Sequence, residues 1–226
     1  MFGRTVMEGM WCVVQAQPEK WADAAGKALA PLAEQALASR ATVRDHRDEL
    51  YRTLMYFAMA HEDKDGATKW GERWLRELDS ITPADREERS ALDIARVENI
   101  QIIGDPQRIL PALLASERAL PDDFNASLRV AQMESANKEY DEAIAACDRG
   151  LARPAGPLGR SWLLQTKAGA LAEKGRSLEA QQALEEALKA AQAIAVESSR
   201  HNNVARIEQR LQQMRDEQRK NQKKPE

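Results

Sequence analysis

The chain has 226 residues, among them 38 Ala, 11 Gly, 9 Pro and only 11 aromatic residues. Strong helix formers dominate and strand-favouring residues are scarce, which argues against a sheet-based fold and for an all-α one. The formal net charge is −3, yet from His201 to Glu226 seven Lys and Arg stand against four Asp and Glu, so an acidic body ends in a basic tail and a dedicated nucleic-acid binder is disfavoured.

Residues 1–17 form a poorly defined N-terminal segment. Val14-Gln15-Ala16 has the small-residue pattern of a signal-peptidase site, but Glu8 and Gly9 interrupt the apolar core that export requires. A cytoplasmic location is therefore the expectation, with export as the alternative, and the segment also reads as the remnant of a helix. No apolar run approaches the ~20 residues of a membrane span. Residues 18–200 read as a helical repeat domain, and 201–226 as a capping helix followed by a disordered basic tail.

Helices are expected over Glu19 to Ser39, kinked or split by Pro31, and over Val43 to His61, where Leu50, Leu54, Phe57 and Ala58 recur at helical spacing. A charged turn at His61 to Gly66 leads to Ala67 to Leu78, with Trp70, Trp74 and Leu78 on one face. This stripe reads as core between hairpins, with a partner-binding ridge as the alternative. The next helix runs from Pro83 to Ile103, where Gly104-Asp105-Pro106 stops it and starts another that ends near Leu120-Pro121. Asp122 and Asp123 can cap a helix to Asn137, and Glu139 to Leu151 is its partner. A Pro- and Gly-rich break precedes the pair Ser161 to Lys174 and Leu178 to Val196. His201 then opens a last helix with Val204, Ile207, Leu211 and Met214 in one stripe, and the chain loses order from Arg219 on.

The segment Asn137-Lys138-Glu139-Tyr140-Asp141-Glu142-Ala143-Ile144 resembles the turn between the two helices of a tetratricopeptide repeat (TPR). Ala131 lies twelve positions before Ala143 and Gly150 seven after it, the small-residue places of that family. Ala168, Ala180 and Ala187, with Gly175 in the turn, continue the pattern. Ala24, Ala67 and Ala112 are the earlier candidates, with Trp21-Ala22-Asp23-Ala24 as the remains of a fifth unit. Successive turn alanines are 43, 45, 31 and 37 residues apart where the family repeat is 34. Met55 and Trp74 occupy places that should be small. The resemblance is specific over Asp122 to Gln192 and loose before it. It implies an all-α, right-handed α-α superhelix of TPR-like hairpins closed by a C-terminal capping helix; an unrelated Ala-rich bundle is the alternative.

Chemistry has no anchor in this sequence. His46 and His61 each lie among carboxylates without a second His, so no metal site is expected. Cys12 and Cys147 are too few for a disulfide framework. Trp11-Cys12 lacks a second Cys, because Gln15 stands in its place. Nucleotide and acyl-transfer motifs are missing. No cofactor and no enzymatic activity are expected.

Resemblance to TPR proteins implies a scaffold that presents a groove, lined by the first helix of each pair, to a peptide or partner helix. Carried onto this chain, the groove places are Asn125, Leu128, Gln132, Trp162 and Gln165, with Glu49, Arg52 and Tyr56 in the earlier unit. The family's Lys/Asn clamp on a C-terminal carboxylate is not expected, because Leu128, Gln132, Gln165 and Gly169 hold the corresponding places. Two further readings are a non-catalytic helper region of a larger enzyme or secreted multidomain protein, and an anionic-surface binder through Arg206 to Lys224. The stripe of the last helix could also mediate self-association.

Overall fold

The computed structural model describes Glu8, residues 19–39 and residues 43–222, and every regular element among them is helical. The helices are α1 (Glu19–Ala38), α2 (Arg44–Ala60), α3 (Lys64–Asp79), α4 (Arg86–Ile103), α5 (Leu110–Ala119), α6 (Phe124–Ala136), α7 (Tyr140–Leu151), α8 (Pro157–Glu173), α9 (Ser177–Gln192) and α10 (Glu197–Gln222). A 3-10 turn at Pro106–Arg108 precedes α5. The chain divides into two compact units, one up to Asp105 and one from Pro106 on. Cys12 and its Trp11 and Gln15 neighbours, the export-like segment and residues 223–226 lie outside the described residues, as do the side chains of the Trp21 to Ala24 unit.

Three hairpin turns share one hydrogen-bond pattern. At the end of α2, Asp63 N donates to Ala58 O and Glu62 N to Met59 O; at the end of α6, Glu139 N donates to Glu134 O and Lys138 N to Ser135 O; at the end of α8, Arg176 N donates to Leu171 O and Gly175 N to Ala172 O. This is the Schellman arrangement, which needs a left-handed residue just past the helix. That residue is Glu62 (φ 59°), Lys138 (φ 65°) and Gly175 (φ 73°). In each case the following helix starts at once, and Ala67, Ala143 and Ala180 donate their N–H to Asp63, Glu139 and Arg176. These three alanines are buried. The residues read as turn alanines in the hairpins α2/α3, α6/α7 and α8/α9 are thus in one structural place.

The turn after α4 is different. Gly104, at φ 81°, caps the helix with a single bond to Ile100 O, and the next helix begins only after the 3-10 turn. Leu113 N donates to Ile109 O there, so the buried Leu113, and not the half-buried Ala112, takes the alanine place. Three other expectations are corrected. Pro31 lies inside α1 without splitting it, and the buried Ala33, Ala36 and Leu37 follow it on the same helix. The last helix starts at Glu197, which leaves His201 within its first turns. It also continues through Arg219 to Gln222.

In the first unit, Leu50, Tyr51, Leu54 and Met55 of α2 meet Trp74, Leu75 and Leu78 of α3. Trp74 is fully buried and packs on α2, the other helix of its hairpin. Its ring stacks on Tyr51 at 6.1 Å, and its indole N–H donates to Asp48 Oδ1 at 2.7 Å. Trp70 is half-buried, with the Arg73 guanidinium 5.4 Å from its centroid. The large Met55 is accommodated by Gly71. A methyl group at Gly71 would stand 2.6 Å from Ile103 Cγ2 and 3.0 Å from Met55 Cε, so the small residue has moved to the facing helix.

In the second unit, Ala131, Ala143, Ala168, Ala180 and Ala187 are all buried, which lets the backbones approach closely. Leu164, Leu171, Leu184, Ile207 and Leu211 complete a core that Val204 and Met214 border. The apolar stripe of α10 is therefore covered within the chain. A buried ionic group ties α5 to its neighbours: Glu117 accepts from Ser127 Oγ at 2.6 Å and from Arg149 Nε and Nη2 at 3.0 Å each. Arg153 adds hydrogen bonds to Leu120 O and Asp123 O. Burial pushes the Glu117 carboxyl up, but the hydrogen bonds from Arg149 and Ser127 outweigh it and hold it below the usual range.

Candidate functional site

Helical spacing places Leu128 and Gln132 on one face of α6, Trp162 and Thr166 on one face of α8 with Gln165 beside them, and Arg206 and Arg210 on one face of α10. Packing of the second unit brings these faces together around an open cavity of about 450 Å³. The helices α6 and α8 are the first members of their hairpins. Four of the expected groove residues, Leu128, Gln132, Trp162 and Gln165, therefore line one concavity.

The walls differ in chemistry. Leu128 is a buried apolar floor and Trp162 an exposed ring, 36% accessible. Gln165 is buried, and its side-chain amide donates to Ser161 O at 3.2 Å and Ser161 Oγ at 3.1 Å. Its carbonyl oxygen accepts from Arg206 Nε at 3.1 Å, while Arg206 Nη2 donates to Asn203 Oδ1 at 2.8 Å. Among the described residues Arg210 reaches only Gln165 O, at 3.5 Å. It lies beside Gly169, where an added Cβ would be 3.5 Å from Arg210 Nη2. Burial, and then the charge of Arg206, lower the Arg210 pKa from its ordinary value.

Arg206 and Arg210 also line this cavity, although the sequence groups them with a diffuse basic tail. A usable signal was present: each immediately precedes a residue of the apolar stripe, Ile207 and Leu211, and so lies at its edge.

Asn125 does not line the cavity. Its backbone N–H and its side-chain amide both donate to Asp123 Oδ1, at 2.9 and 3.1 Å, as part of the α6 cap. In the first unit Arg52 pairs with Glu98 at 2.6 Å and with Glu49, and lies 5.9 Å from the Trp74 ring centroid. Glu49 and Arg52 are thus engaged with each other, while Tyr56 is 43% exposed.

Among the described residues there is no group of His, Cys, Asp and Glu able to hold a metal ion, and no helix is long and apolar enough to cross a membrane. Cys147 is fully buried, and burial followed by the charge of Asp148 pushes its thiol up to about 12, the opposite of an activated nucleophile. Comparison with protein-family models, curated proteins and solved structures returned no match. The fold on its own defines a protein that is all-helical among the described residues.

Proposed function

We propose that this chain is a non-catalytic protein-interaction scaffold, and that an extended peptide or partner helix lies in the cavity between α6, α8 and α10. The observation that carries this reading is the convergence of Leu128, Gln132, Trp162 and Gln165, from the first helices of two hairpins, on one concavity. An exposed Trp beside a buried Leu and fixed amide groups suits a peptide, because aromatic anchors supply large contact area at low entropic cost. TPR-like hairpins in a superhelical array would present such a face along the repeat.

The test is binding of amidated, fluorescein-labelled random octapeptide pools, followed by fluorescence anisotropy. The full chain binds at least one pool, and Trp162→Ala weakens that binding by about tenfold or more, as loss of an aromatic anchor does, with unchanged far-UV circular dichroism. Absence of binding to every pool, or binding indifferent to Trp162, overturns the reading.

A further inference from the structure

We infer that the cavity selects an acidic side chain: the bound peptide carries Asp or Glu whose carboxylate meets Arg206 and Arg210, next to an apolar residue on Trp162 and Leu128. This rests on the peptide reading above and names the chemistry of its partner.

The first argument is an uncompensated charge. Two guanidinium groups face one cavity, and among the described residues neither has a carboxylate within ion-pair distance. Several other arginines of this chain meet an acid: Arg96 pairs with Asp93 and Asp79, Arg149 and Arg153 with Glu117, Arg52 with Glu98. Arg206, exposed, and Arg210, half-buried, have no such partner among the described residues, and both line the cavity on which expected groove residues converge.

The second argument is preorganisation. Ser161 holds the amide of Gln165, Gln165 holds Arg206 Nε, and Asn203 holds Arg206 Nη2. Arg206 is thus oriented by neutral partners that leave its charge intact and Nη1 free to donate. Arg210 has, among the described residues, only its long contact to Gln165 O. Its lowered pKa has burial as the main cause and Arg206 as the second, with no acid opposing them. The negative charge of a bound carboxylate would offset both, and guanidinium groups match carboxylates by parallel N–H donation.

The third argument concerns what else the walls offer. Trp162 and Leu128 supply apolar surface next to the arginines, so the complementary ligand is amphipathic and not a simple polyanion. The Gly169 position, which would hold part of a terminal-carboxylate clamp, has the Arg210 guanidinium beside it. Both cations come from the last helix, Arg206 aimed by the Gln165 side chain and Arg210 set against the Gln165 carbonyl, which suits an internal acidic residue.

The experiment is a positional scan of amidated octapeptides in which one position is fixed as Asp, Glu, Asn, Gln, Lys or phosphoserine, alongside Asn/Gln pools with a free C-terminal carboxylate. The wild-type chain is expected to favour Asp and Glu over Asn and Gln by between about 10- and 100-fold, the range of charge-assisted hydrogen bonds, with the preference shrinking as salt is added. The double variant Arg206→Gln and Arg210→Gln loses the preference but still binds apolar pools through Trp162. The variant Arg206→Glu and Arg210→Glu turns the selection toward Lys.

Peptide binding without any acid preference, or a preference that survives both double variants, overturns this inference and leaves the peptide reading standing. So does selection of phosphoserine or of the free C-terminal carboxylate in place of Asp and Glu. If no pool binds the wild-type chain, the peptide reading falls and this inference falls with it.

Discussion

Arg206 Nε donates to Gln165 Oε1 across a sequence separation of 41 residues. Gln165 is buried and its other amide group is held by Ser161, so the bond attaches the polar edge of α10 to the interior of α8. Truncating Gln165 leaves Ser161 and Arg206 to find water. A double-mutant cycle of Gln165→Ala and Arg206→Ala, followed by chemical denaturation, should give a coupling of about 0.5–1.5 kcal/mol. Additive single effects would mean that the bond contributes nothing to holding the two helices.

Gly150 of α7 faces Leu163 of α8 and Ser127 of α6. A methyl group there would stand 2.7 Å from Leu163 Cδ2 and 3.1 Å from Ser127 Cβ, and Leu163 and Ser127 are fully buried. Gly150→Ala should therefore destabilise the protein by about 1–3 kcal/mol, the usual cost of overpacking, despite the better helix propensity of Ala. The companion change Leu163→Val makes room and should recover part of the loss. A thermal melt in which Gly150→Ala is neutral or stabilising would refute this close contact.

The two left-handed turn residues Lys138 and Gly175 predict substitutions of opposite sign. A non-Gly residue at positive φ costs about 1–2 kcal/mol, and Lys138 bears that cost. Lys138→Gly should raise stability by up to about 1 kcal/mol, after the entropy of the unfolded glycine is counted. Gly175→Ala meets no atom within 4 Å, so its expected loss of about 1–2 kcal/mol is conformational alone. Urea midpoints of the two variants should move in opposite directions.

Glu117 sets a pH dependence with a definite sign. Its folded pKa lies below the ordinary glutamate value of 4.5, with burial opposed and outweighed by Arg149 and Ser127. The stability it contributes is present above pH 4.5 and is lost as the pH falls through the lower folded value. Glu77 acts the same way in the first unit, where Arg47 and Tyr51 outweigh its burial. Glu117→Gln should lower stability at pH 7 by about 1–3 kcal/mol and flatten the acid limb of the stability curve. An unchanged acid limb would show that the ionised group is not what secures α5.

The sequence by itself determined the helical class, most of the helices and the small-residue places in the hairpins α6/α7 and α8/α9. These depend on interactions within a few residues: apolar spacing, caps such as Asp63 and Asp123, and a left-handed position just past a helix. Ala143 and Ala180, named from the resemblance of their turns to a TPR, are buried at equivalent turns, and Leu128, Gln132, Trp162 and Gln165, placed by the same resemblance, line one cavity. Only the tertiary structure decided which distant groups meet. Gly71 compensating for Met55, Leu113 replacing Ala112, Glu117 collecting Arg149 and Arg153, and Arg206 joining Gln165 each depend on packing between helices. That packing is set by side-chain volume and burial, and sequence spacing does not encode it.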